Sequence, residues 1–99
     1  MRRGTTPTNV FGVDVDCTTA ELIYITYRQN WETVVEKTIA DVTVEADKIK
    51  TTLTQQETLA FEAAAPVDIQ IRVKFSDGTA LASNIIRTTV DRILKEGVI

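Results

Sequence analysis

Between Val67 and Phe75 the chain reads VDIQIRVKF, with five apolar residues alternating against Asp68, Gln70, Arg72 and Lys74. A period of two puts every apolar side chain on one face of a pleated strand and every polar one on the other. A slip of one residue would turn the whole set outward, so a buried face specifies the register of such a strand. Asp77-Gly78 follows at once, and this dipeptide predicts a two-residue type I′ hairpin. Setting Ser76 opposite Thr79 places Phe75 beside Ala80, Val73 beside Ala82 and Ile69 beside Ile86. Small alanines would then leave room for a second layer over that face, with Leu81, Ser83 and Ile85 near Arg72 and Lys74.

The rest of the chain carries the same period. Phe11, Val13 and Val15 alternate with Gly12, Asp14 and Asp16 after an extended lead-in at Thr5-Thr6-Pro7. From Ala20 to Arg28 both faces are apolar, Ile23, Ile25 and Tyr27 on one and Leu22 and Tyr24 on the other, as in a strand that is central in its sheet or has one face covered by something else. Gln29-Asn30 turns the chain into a strand over Trp31 to Ile39. Shorter strands are expected at 42–45 and 48–53. Thr54 and Glu57 have the spacing of a capping box, predicting a short helix near 55–61 that ends before Pro66. About seven strands and one short helix predict an all-β fold, an immunoglobulin-like antiparallel sandwich, with a small β-barrel as the alternative.

At 99 residues there is room for one domain, 1–99, with an N-terminal arm at 1–6 and a tail at 92–99. Hydrophobic residues make up 43%, which suits one core. The net charge of −3, with signs interspersed, offers no footprint for nucleic acid. No apolar run approaches the roughly 18 residues of a membrane span, and none follows Arg2-Arg3 as in a signal peptide. A single cysteine, Cys17, points to a buried apolar role and to folding in a reducing cytoplasm.

Chemistry-bearing patterns are sparse. With no histidine the commonest general base and metal ligand are missing. Asp14 and Asp16 would share a strand face, but calcium needs six or more oxygens, and the following Cys17-Thr18-Thr19 offers few. The four glycines form no phosphate loop. These absences favour a binding or structural module without catalytic residues, metal or cofactor. Phe11, Phe61 and Phe75 fall at core-phase positions. Trp31, beside a turn, is the candidate contact anchor. Arg2 and Arg3 are candidates for docking on a neighbour. In the tail Ile93, Leu94, Val98 and Ile99 are apolar enough to pack on the domain itself or on another subunit.

The order of RRGTTPT, DVDCTTAELIYITYRQN, LTQQETLAFEA, VDIQIRVKFSDGTALAS and ILKEGVI resembles small proteins of tailed bacteriophages and prophages of Gram-positive bacteria. More loosely, it is similar to the N-terminal β-sandwich domain of phage baseplate upper proteins. Cys17-Thr18-Thr19-Ala20 departs from the Leu-Thr-Gly-Ala-like step of that domain, and Ala63-Ala64-Ala65 stands where a glycine often ends the helical turn. The resemblance implies a virion structural or accessory protein of the tail or baseplate region. Its partners would be other phage structural proteins and further copies of itself, and its locations the cytoplasm and then the virion. A small regulator or inhibitor binding one host protein is the alternative. A carbohydrate-binding sandwich would require Trp31 and the tyrosines to share an exposed face.

Overall fold

A computed structural model describes all 99 residues, in eight strands, one α-helix and one 3-10 turn. The strands are β1 (Thr8–Gly12), β2 (Ala20–Gln29), β3 (Glu32–Thr38), β4 (Val42–Val44), β5 (Lys48–Thr52), β6 (Val67–Phe75), β7 (Ala80–Ala82) and β8 (Ile86–Thr88). Two antiparallel sheets form, one ordered β1-β5-β4 and the other β3-β2-β6-β7, with β8 also beside β6. They stack as a sandwich, the fold class expected from the period-two pattern, and no barrel closes.

The core sits between the sheets. Ile23, Ile25 and Tyr27 of β2 and Ile69, Ile71 and Val73 of β6 meet Phe11 and Ile49 from the smaller sheet. Each large side chain fully removed from water contributes about 2 kcal/mol. β2 is central, between β3 and β6, but its second apolar face is uncovered, so Leu22 and Tyr24 are partly exposed. The helix α1 (Gln55–Leu59) starts with the expected capping box, in which Thr54 Oγ1 accepts from Glu57 N–H and the Glu57 carboxylate accepts from Thr54 N–H. Glu57 also takes Lys37 Nζ at 2.7 Å, which pins an inward-facing lysine of β3 to the helix.

Several boundaries differ from the expectation. β1 stops at Gly12 and Asp14-Val15 forms a bend, so the two aspartates do not lie on a strand face. The chain turns on Asn30-Trp31, one residue later than expected, and Ile39 belongs to a 3-10 turn at Ile39–Asp41. The Asp77-Gly78 loop also differs. Phe75 N–H donates to Thr79 O and Gly78 N–H to Phe75 O, which makes a three-residue loop. Only Gly78 has positive φ there, at +90°. This is a type I turn closed by a bulge glycine, and it moves the register by one.

Leu81, rather than Ala80 or Ala82, therefore lies opposite Val73 on the inner side, and both alanines face out with Lys74 and Arg72. The expected register returns at Ile69↔Ile86 because an extra residue is accommodated near Ser83. There Ser83 Oγ accepts from Ile71 N–H in place of a strand carbonyl.

Candidate functional site

The hairpin between β2 and β3 holds the most unusual backbone in the molecule. Gln29 pairs with Glu32, and the two residues between them have φ of +53° at Asn30 and +67° at Trp31. A two-residue type I′ turn demands positive φ at both positions, where Asn-Gly is favoured. A bulky aromatic there is an outlier, and such strain persists only where surrounding contacts enforce it. The contacts are present. Gln29 Nε2 donates to the carbonyls of Glu62 (2.8 Å) and Ala65 (3.0 Å), and its Oε1 accepts from Glu62 N–H (2.7 Å). Asn30 Nδ2 donates to the Glu62 carboxylate at 2.9 Å. The base of the turn is thus bolted to the segment after α1.

What the turn presents is Trp31, 88% exposed. The Arg28 guanidinium lies over its ring at 5.3 Å from the centroid, a cation–π contact that braces the indole. Arg28, Asp68 and Arg87 follow one another across β2, β6 and β8 as direct cross-strand partners. Arg87 Nε meets Asp68 Oδ1 at 2.9 Å, and that hydrogen bond, together with the charges of Arg87 and Arg28, holds the Asp68 carboxyl below its usual range. Two cations thus flank one anion beside an exposed ring. Next to them is a hollow of about 520 Å³, lined in part by Thr26, Thr33, Gln70 and Ile85. An apolar plate beside guanidinium and amide groups suits a protein segment carrying an apolar residue and carboxylates.

The other expected contact residues divide into two groups. Arg3 is engaged by its own chain: Nε donates to Phe61 O (2.8 Å), Nη2 to Leu59 O (3.1 Å), and Nη1 pairs with Glu96. Arg2 Nη1 donates to Arg92 O, and Arg3 N–H donates to Asp91 O. The first residues are therefore bonded to the last ones. Gly4, at φ +71°, lets Ile93 pass so close that an added Cβ would stand 2.8 Å from its Cδ1. Leu94, Val98 and Ile99 remain exposed, although Ile99's main-chain N–H and C=O are both bonded to the Gln55 amide. Arg2, Arg3 and Ile93 thus join the ends of the chain, while Trp31, Leu94, Val98 and Ile99 face solvent.

Cys17 is buried, and its thiol is pushed up by burial and by the Asp16 charge, away from thiolate chemistry. No three His, Cys, Asp or Glu side chains are grouped to share a metal ion. Of the tyrosines, Tyr27 is inside, its hydroxyl accepting from Asn9 Nδ2, so it joins Trp31 on no exposed face, and only Tyr24 is also exposed. No helix is long and apolar enough to cross a membrane.

A second concavity of about 940 Å³ opens between β1 and β7/β8, floored by Ile69, Ile71 and Val73. It exists because the smaller sheet has only three strands and leaves that side of β6 thinly covered. Arg28, Asp68 and Arg87 were not singled out in the sequence, since their meeting depends on strand pairings between residues 40 positions apart (68 − 28) and 19 apart (87 − 68). Comparison with family models, with curated proteins and with solved structures finds no match.

Proposed function

We propose that this chain is a contact module of a tailed bacteriophage or prophage of Gram-positive bacteria. It is a virion structural or accessory protein of the tail or baseplate region, acting by protein–protein contact and not as an enzyme. The phage assignment is supported by the resemblance of the ordered segments from RRGTTPT to ILKEGVI. The contact role is carried by one observation: a tryptophan 88% exposed on a strained turn that neighbouring hydrogen bonds hold in place. An aromatic that contributes nothing to its own core, braced by an arginine, has the makeup of an interface anchor.

The test is mass spectrometry of purified particles from a lysogen carrying either the native chain or Trp31→Ala. The native chain is expected in the particle and the variant depleted from it. Absence of the native chain from repeated preparations would remove the virion reading. Capture of a single host protein instead would favour the regulator.

A further inference from the structure

Two ends of the molecule carry complementary chemistry. β1 exits, β2 begins and the β6–β7 loop turns at one end, which brings together Asp14, Asp16, Glu21, Asp47 and Asp77. Val13 N–H on Asp47 O and the Ala20↔Phe75 pairing establish this grouping. None of these five carboxylates is in a salt bridge. The bend places Val15, 47% exposed, between Asp14 and Asp16 as an apolar knob flanked by two acids. Asp16 is fixed by accepting from both Thr18 N–H and Thr18 Oγ1, and these bonds hold its carboxyl below the usual range.

At the far end of β2, about 30 Å away at a strand's rise per residue, stand Trp31 and the row Arg28–Asp68–Arg87. That row has one cation in excess, and Arg28 is in no salt bridge. Socket and knob match in kind, aromatic with aliphatic and arginine with aspartate. A chain 47 Å long cannot bring its own two ends together.

We propose that the Asp14-Val15-Asp16 knob of one copy seats in the Trp31–Arg28 socket of the next, head to tail. The contact is heterologous, so repetition closes a ring or extends a filament, depending on the rotation per step. The proposal rests on the contact role of Trp31 above and names the partner surface as the chain's own.

Sedimentation of the full chain tests it. Association is expected to rise with concentration and to weaken about tenfold between roughly 20 mM and 0.5 M salt, as the charge pairs are screened. Asp14→Lys and Arg28→Glu should each weaken association at least about tenfold, with circular dichroism unchanged. Mixed in equal amounts they should recover it. Lysine knobs then meet glutamate sockets and native knobs meet native sockets, whereas each variant alone sets position 14 against a like charge at position 28.

A chain that stays monomeric to about 1 mM overturns the proposal, as does association that neither variant weakens. Folded variants that fail to recover on mixing would also overturn it. Should the chain prove monomeric while Trp31→Ala is still lost from particles, the head-to-tail contact falls and the virion reading stands.

Discussion

The two hairpin turns of the larger sheet meet the same demand, reversal of an antiparallel strand with positive φ, using opposite residues. At the β6–β7 tip the demand falls on Gly78, which has no neighbour within 4 Å of a would-be Cβ, and Asp77 Oδ1 accepts from Thr79 N–H. At the β2–β3 tip it falls on Asn30 and Trp31, and five hydrogen bonds or stacking contacts from Gln29, Asn30 and Arg28 hold them there. Sterics make the left-handed region about 1–2 kcal/mol worse for a residue with a Cβ than for glycine. The first turn therefore serves the fold. The second keeps a strained aromatic at the surface where glycine would be easier.

The comparison can be broken by substitution. Gly78→Val puts a β-branched residue at φ +90° in open space, so only backbone strain is added. It should lower stability by about 2 kcal/mol in urea unfolding. A loss under about 0.5 kcal/mol would mean that the tip relaxes and the two turns do not differ as described.

Trp31→Gly should have the opposite sign. Relief of strain outweighs the lost Arg28 contact, and stability should hold or rise by about 0.5 kcal/mol. Burying a tryptophan in a core would instead make its truncation cost about 3–5 kcal/mol. Any loss above about 1 kcal/mol would make Trp31 a structural residue.

Arg28→Ala should cost at most about 0.5 kcal/mol in the isolated chain and should increase the mobility of the indole, read from its fluorescence anisotropy. Unchanged anisotropy would show that the arginine does not brace the ring.

The smallest effect separates the turns by pH. The Asp77 carboxyl is held below its ordinary value of 3.8, first by the backbone N–H of Thr79. A depressed folded value means that its contribution is present above pH 3.8 and lost as pH falls through the folded value. Acidification below that point should destabilise the native chain more than Asp77→Asn, compared by urea midpoints at pH 7 and pH 3. Equal losses would show that the bond to Thr79 is not sustained in solution.

Much of the architecture was legible because its signals are local. The alternation in VDIQIRVKF, the doubly apolar AELIYITYRQ and the Thr54/Glu57 box each act within a few residues, and each appears where expected. The misread places involve a choice among near-equal local options. Ser76-Asp77-Gly78 supports a two- or three-residue loop, and the register that follows differs by one. Gln29-Asn30-Trp31 supports a turn at either pair, and the side-chain bonds of Gln29 and Asn30 to residues 62 and 65 decide for the later one. Of the candidate contact residues, Trp31 was singled out for its position beside a turn, and it is exposed on that turn. Arg3 could not be seen as a tie between the chain's ends, because its partners are Leu59, Phe61 and Glu96.

By itself the sequence determined that this chain is built on β-strands, which side chains of β6 turn inward, and where one helical turn begins. These follow from side-chain periodicity and capping, which operate over nearest neighbours. Only the tertiary structure decided that Arg28, Asp68 and Arg87 form a row, that Trp31 stands clear of the core, and that the acidic bend lies a strand's length away. Those relations depend on which strands pair and in what register. The pairing is a competition among distant segments for the same backbone hydrogen bonds and the same core, and no local pattern encodes its outcome.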